Sequence, residues 1–469
     1  MAARDELGDI QALARSGFGS LGGAIYLLLR IEQAPAVRAW LRSLPVTAAA
    51  AVGAGTLDRV LQVAFTAAGL RALGHAEARL EAFAPEFLDG MAGDERRSHR
   101  LGDVGENAPE RWAWGTGDRQ PHLLVLLLAK RAVIAEWAES VRDAALASGC
   151  RLVAGFASCP AREDGGPGRE PFGFADGISQ PEIDWDGQVQ TSGAVNRDYR
   201  NRIAAGEVLL GHGNEYGFVA DHDPALGRNG SYLVYRQLEQ DVVGFWRWAV
   251  EQAGEGGAVK FAERMVGRRI DGAPLPGLGT GNDFLFRGDP EGHACPLGAH
   301  VRRANPRAGD DPLGRRGFVR DLVSSLGLAG TAAGDAVAPS RFHRLLRRGR
   351  PYGELIEPAA AMAAGAAPAE SGLHFLCLNA SIARQFEFVQ GAWLASGTFG
   401  GLAGEQDPLL GNRRPFPPDQ PTDGFSWWSA GGDPHLATAL PPFVRVRGGA
   451  YFFLPGLAGL AAIAAALDS

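Results

Sequence analysis

The sequence predicts an α+β protein in which a β-α-β-β-α-β unit is made twice. Three observations lead there. First, Gly23 to Leu44 (GAIYLLLRIEQAPAVRAWLRSL) and Gly230 to Ala253 (GSYLVYRQLEQDVVGFWRWAVEQA) share one layout. Each is an apolar strand that passes through an Arg (Arg30, Arg236) and a Glu-Gln pair (Glu32-Gln33, Glu239-Gln240) into an amphipathic helix. Second, each half carries a further strand-helix pair, His122 to Ser148 and Leu373 to Leu394. Third, 469 residues suit two or three domains of ordinary size, or one duplicated unit. Antiparallel sheets covered by helices are the expected layers. The division is placed between residues 220 and 221, giving units over 1–220 and 221–469.

The remaining elements follow in chain order. Ala161 to Glu170 (AREDGGPGRE) reads as a Gly-rich charged loop. Ala308 to Ser340 reads as a long Gly/Asp-rich insertion with a short helix at Val319 to Leu326. Glu357 to Ser371 reads as an Ala/Pro-rich loop. The longest uncharged stretch, Ala450 to Leu467, is broken by Pro455, Gly456 and Gly459. It reads as a strand, a turn and a buried helix rather than a membrane span. Glycine (65) and proline (29) make up about a fifth of the chain, so long loops and a modest helix content are expected.

Composition narrows the function classes. With 46% hydrophobic and 21% charged residues the chain can build a large core, which excludes a disordered protein. A net charge of −7 gives no bulk electrostatic reason to bind nucleic acid or an anionic membrane. Cys150, Cys159, Cys295 and Cys377 lie far apart without CxxC spacing, which fits a reduced protein better than a disulfide scaffold or zinc ribbon. The N-terminus MAARDELGDIQALARS mixes charges, lacks a long apolar core and has no twin-Arg pair before an apolar run. A cytoplasmic protein is the expectation.

Few motifs carry chemistry. Gly277, Gly279 and Gly281 form a GxGxG, but prolines precede it and no helix follows, so it reads as a loop rather than a nucleotide site. His293, Cys295 and His300 cluster in GHACPLGAH; zinc would need a fourth ligand from elsewhere, whereas haem needs one axial ligand. In Glu170 to Ile183 (EPFGFADGISQPEI), Asp176 stands on a Gly-flanked turn among aromatics. Two readings are open: a turn-capping Asp, or a carboxylate held in an apolar pocket as a general base.

Gly173-Phe174-Ala175-Asp176-Gly177 is a GxxDG motif that resembles the signature of the dye-decolorizing (DyP-type) haem peroxidases. Further blocks resemble that family in order along the chain: Asp9-Ile10-Gln11, Asn282-Asp283-Phe284, Cys295 to Arg307 (CPLGAHVRRANPR), Arg347 to Gly353 (RRGRPYG), Phe375 to Gln390 and Arg447 to Leu454. The resemblance is to the larger type, with insertions in the C-terminal half. It implies two ferredoxin-like units in a dimeric α+β barrel-like arrangement. It further implies one haem b per chain and reduction of hydrogen peroxide through a ferryl intermediate, with oxidation of organic donors such as dyes and phenolics. A monomer or homo-oligomer without nucleic-acid or membrane partners is expected.

The resemblance assigns His300 as the proximal iron ligand, Asp176 as the distal acid–base group and Arg347 as the distal arginine. His343 precedes Arg347 by four residues, so on a helix the two would share a face. His343 could not then sit on the opposite side of the haem from Arg347, which favours His300; His293 and Cys295 stay as minor alternatives. Arg302 and Arg307 are expected at the haem propionates, and Leu373 and Phe375 on the distal side. A carboxylate should hold the other nitrogen of the proximal His; Asp407 matches best, with Glu387 as the alternative. A haem-binding carrier without turnover is the competing class. It needs His300 but not Asp176 and Arg347 together. Tyr352 and Trp393 are expected to relay oxidation to bulky donors.

Overall fold

The computed structural model describes residues 2–55, 57–159, 168–187, 201–282, 284–286, 288–307, 339–414, 419–429 and 431–465. The loop at 161–167, most of the 308–340 insertion with its expected helix at 319–326, and Asp283 lie outside the described residues.

The first half runs β1 (Gly23–Ile31), α1 (Ala34–Ser43), β2 (Arg59–Phe65), β3 (Leu123–Ala129), α2 (Arg131–Ala147) and β4 (Cys150–Ala157). Its strands lie in the order β4-β1-β3-β2. The second half runs β5 (Ser231–Gln240), α3 (Val242–Ala253), a short helix α4 (His300–Ala304), β6 (Leu346–Arg347), β7 (Arg350–Gly353), β8 (Ser371–Asn379), a π-helical stretch (Ala383–Glu387 and Val389–Leu394), β9 (Val444–Leu454) and α5 (Leu457–Ile463). Its strands lie in the order β9-β5-β8-β6, with β7 also on β8. Both halves thus show the ferredoxin-like order, fourth-first-third-second, with every neighbour antiparallel. β2 and β9 meet where Phe65 pairs with Phe453, which joins the halves into one nine-stranded sheet.

Local sequence explains the elements. β3 (LLVLLLA) is buried at every position, as a central strand covered on both faces requires. The alternating faces of β5 feed two cores. Tyr232 and Val234 pack with the helices and with Phe245 and Trp246 of α3. Leu233 and Tyr235 pack on the other face with Tyr26 and Trp114. Asp241 caps α3 by accepting from the Gly244 N–H at 2.8 Å. Of the stretch read at 450–467, residues 450–465 divide as expected into the end of β9, a Pro455-Gly456 turn and α5, and residues 466–467 lie outside the described residues.

One expectation fails locally. His343 closes a 3-10 turn (Pro339–His343), and Arg347 lies beyond it on β6. The two therefore do not share a helix face. The intervening Arg344 and Leu345 turn the chain onto the edge of β8, where sheet pairing wins over helix propagation.

Candidate active site

A cavity of about 260 Å³ opens between the second-half sheet and the segments that cover it. His300, Asp176, Arg347, Leu373, Phe375 and Arg307 all line it. Pairing register explains why the sheet presents these side chains. Phe375 stands opposite Arg236 and Leu373 opposite Leu238, so the four share the cavity face. His374, between them, points to the other core.

His300 is the first residue of α4. Its Nδ1 lies 2.9 Å from Oδ2 of Asp407, which is completely buried. Asp407 Oδ1 in turn accepts the N–H groups of Leu409 (3.0 Å) and Leu410 (2.8 Å). Burial alone would push the His300 pKa down, but the Asp407 carboxylate outweighs it and the net shift is upward. Burial likewise opposes ionisation of Asp407, yet His300 and the Leu410 N–H hold its pKa below the usual carboxylate range. A neutral imidazole that donates Nδ1–H to Asp407 leaves its Nε2 lone pair available toward the cavity. Glu387 is not this partner: it accepts from Tyr451 (2.9 Å) and pairs with Arg97 (2.8 Å) and Arg100 (3.0 Å).

Asp176 and Arg347 face each other with Oδ1 and Nη1 3.6 Å apart. They come from separate segments tied together by Gln180, whose Oε1 accepts the Arg347 N–H at 2.9 Å. The turn before Asp176 needs glycine at 173. Its φ is +99°, and a Cβ there would stand 2.7 Å from Pro358.

Arg307 reaches the cavity wall, but its guanidinium donates to the carbonyls of Asn282 (2.7 Å) and Phe284 (2.5 Å) and to Ser179 Oγ (3.2 Å). Arg302 departs from expectation. It does not line the cavity; its guanidinium is held by Asp289 (3.0 Å) and the Cys295 carbonyl (2.7 Å) and lies over Phe286. As the second residue after His300 on a helix, it is turned some 200° from the imidazole, so it points away from the site. Cys295 is sealed in the same satellite core, where burial pushes its thiol up to about 12. His293 is exposed and stacks on Trp428. Neither lines the cavity.

Several polar groups in the wall have no signal in the sequence, Arg236, Asp103 and Glu170 among them. Arg236 and Asp103 form a buried ion pair, with Asp103 Oδ2 and Arg236 Nε left without a hydrogen-bond partner among the described residues. Glu170 stands six residues before Asp176, and burial pushes its carboxyl up to about 7. It belongs to the segment quoted for Asp176, but no local spacing marks it as a cavity residue.

No protein-family profile matches the chain. It is 31% identical over 316 residues to the multifunctional dye peroxidase of Amycolatopsis sp., covering 63% of this chain and 61% of that protein. It is 30% identical over 358 residues to the dye-decolorizing peroxidase of Mycena epipterygia, covering 65% and 59%. The chain thus spans about three-fifths of the length of these two relatives. With a dye-decolorizing peroxidase of Mycetinis scorodonius the match is 29% over 429 residues, covering 85% and 75%. Over these spans the chain is similar to dye-decolorizing peroxidases. Solved structures of dye-decolorizing peroxidases share the fold of this chain almost end to end. The Anabaena sp. DyP-type peroxidase superposes with a TM-score of 0.74 at 22% identity, over 98% of this chain and 95% of that one. The Auricularia auricula-judae DyP-type peroxidase gives 0.74 at 23%, over 98% and 99%. A dye-decolorizing peroxidase solved in complex with 2,6-dimethoxyphenol gives 0.75 at 24%, over 98% and 99%. Among the described residues no helix is long and apolar enough to cross a membrane.

Proposed function

We propose that this chain is a haem peroxidase that reduces hydrogen peroxide while oxidising organic donors such as dyes and phenolics. The carrying observation is the Asp176–Arg347 pair at 3.6 Å in the cavity that His300, anchored on Asp407, also lines. A carrier has no need of that pair. The names of the relatives support the same reading.

The residues fit haem. A single imidazole backed by a buried carboxylate is the donor set for one axial iron ligand. Leu373, Phe375 and their apolar neighbours suit a flat macrocycle. Arg307 and Arg344, both in the wall, would stand near the propionates; Arg302 is withdrawn from that role. Bound haem supplies the iron that takes oxidising equivalents from peroxide and passes them to donors.

The chain's own residues then move the proton and charge. Asp176 takes a proton from one peroxide oxygen and returns it to the other, so that water can leave. Arg347 stabilises negative charge as it builds on the departing oxygen. Asp407 keeps the His300 imidazole in one tautomer and orientation. One such site per chain, built mainly by residues 221–469 with the distal acid from 1–220, is part of the proposal.

The test is optical. Haem-reconstituted protein should show a Soret band that changes rapidly on adding hydrogen peroxide. Asp176→Asn should take up haem normally and react at least about a hundredfold more slowly; Arg347→Leu should be impaired at the same step. No Soret band after reconstitution rejects haem, and wild-type rates in both variants place the distal chemistry elsewhere.

A further inference from the structure

The Asp176 turn has a hydrogen-bond hub that the proton transfer above does not use. The Glu170 carboxylate receives three donors: the N–H of Phe172 at 3.0 Å and Gln240 Nε2 at 2.9 Å on Oε2, and the N–H of Phe174 at 3.0 Å on Oε1. The backbone closes the same loop, Glu170 N–H to the Phe174 carbonyl at 3.0 Å and Gly173 N–H to the Glu170 carbonyl at 2.8 Å. Trp246 Nε1 pins the Phe172 carbonyl from α3 at 3.0 Å. Immediately beyond, Ala175 N–H donates to the Ile270 carbonyl at 3.0 Å, and Asp176 N–H to the Gly168 carbonyl at 2.8 Å.

Glu170 lines the same cavity as Asp176, and no ion pair to it occurs among the described residues. Enclosing a carboxyl without a cation is unfavourable, which agrees with its upward shift to about 7. Three converging donors are the compensation. An amide in its place would present an NH₂ to one of the N–H groups, so glutamine cannot reproduce the hub.

We propose that Glu170 is a positioning residue for Asp176: its carboxylate gathers the 170–174 turn on β5 and so holds the Asp176 carboxyl opposite Arg347. This rests on the peroxidase reading, in which Asp176 accepts the proton. The effect belongs to proton transfer alone, not to haem uptake or access.

Two classes of haem ligand separate those possibilities. Hydrogen cyanide, like hydrogen peroxide, must give a proton to a base in the pocket as it binds, whereas imidazole binds neutral. In stopped-flow experiments on the haem-loaded protein, Glu170→Gln should slow cyanide and peroxide association about tenfold each, since small misplacement of a reacting group costs rate steeply. Imidazole association should stay within about twofold. Equal slowing for all three ligands, or none for any, overturns the proposal. If Glu170→Gln fails to take up haem, Gln240→Leu, which removes one donor from the hub, decides: the same split at about threefold supports the proposal, and a uniform or absent effect overturns it. Asp176→Asn runs alongside. Slow cyanide and peroxide binding in that variant with normal rates in Glu170→Gln rejects the role of Glu170 alone. Normal rates in Asp176→Asn reject the peroxidase reading and this inference with it.

Discussion

The His300 imidazole is oriented by one bond, to a carboxylate that is itself fixed by two backbone N–H groups. Two substitutions should therefore separate ligation from orientation. His300→Ala should lose most bound haem or its axial coordination, because the strong donor is gone. Asp407→Asn should keep haem but bind it about 10–100-fold more weakly, or shift its spectrum, since the group behind the ligand is lost. Haem titration followed at the Soret band measures both. Full occupancy with an unchanged spectrum in His300→Ala would remove the assignment, and among the described residues no other histidine beside the cavity has a comparable carboxylate. His343, which also lines the cavity, instead directs Nδ1 to the Arg384 carbonyl at 2.5 Å and stacks on Phe388.

At the scale of the element, β9 shows how a strand places part of the site. Its register shifts between Val446 and Gly448, and a Cβ at Gly448 would stand 2.5 Å from the Trp114 ring. The segment holding Trp114 rests on that gap. Ala113 N–H donates to the Arg447 carbonyl at 2.7 Å, and Asn107 Oδ1 accepts the Val446 N–H at 3.0 Å. The same segment carries Asp103 to Arg236 in the cavity wall. Valine suits strands in general, so propensity alone would make Gly448→Val stabilising. Packing predicts the reverse, a loss of about 1–3 kcal/mol, because Trp114 is completely enclosed and cannot yield. Urea unfolding of the two proteins gives the sign directly.

For the whole molecule, pH and electron flow follow from burial. Burial drives the His122 pKa down to about 4 and that of His374 to about 3. Unfolded, each titrates near 6.5, so on acidification the unfolded chain takes protons first. Stability from these groups is complete above about pH 6.5 and is lost as pH falls through the folded values. At pH 5 each costs about 2 kcal/mol. Glu170, raised rather than lowered, works in the opposite direction over its own range. The net curve is therefore a sum, and the variant comparison isolates one part. Between pH 7.5 and 5, urea unfolding of His122→Asn should show an acid-induced loss about 2 kcal/mol smaller than wild type. The expected relay divides in two. Tyr352 stacks on His374 at 4.6 Å, in the core on the face away from the cavity. Trp393 meets His343 at 5.1 Å and Phe388 at 5.3 Å, beside the cavity. Under the peroxidase reading, Tyr352→Phe with Trp393→Phe should slow turnover of bulky dyes and spare small donors. Trp393→Phe alone should carry most of that loss. Equal losses for large and small dyes would remove both residues from the path.

The duplicated strand-helix segments were legible in the sequence because burial on a regular element writes its period locally: β1, α1, β5 and α3 fall where the two quoted segments place them. Asp176, His300 and Arg347 were singled out by ordered motifs, and the structure brings the three to one cavity; of the two candidate acids, Asp407 is the one that lies beside His300. Local spacing does not encode which face a side chain takes after a tight turn. Arg302 was therefore assigned to the site although two residues along α4 turn it onto Asp289, and His343 and Arg347 were joined on a helix that the edge of β8 replaces with a strand. Glu170, Gln180 and the Arg236–Asp103 pair came only with tertiary structure. Each is an ordinary polar residue in sequence, and each acquires its role when segments up to 167 residues apart close around one cavity. Chain periodicity determined the elements and their order; the long-range closure of two sheet halves decided which polar groups lost water and had to find one another.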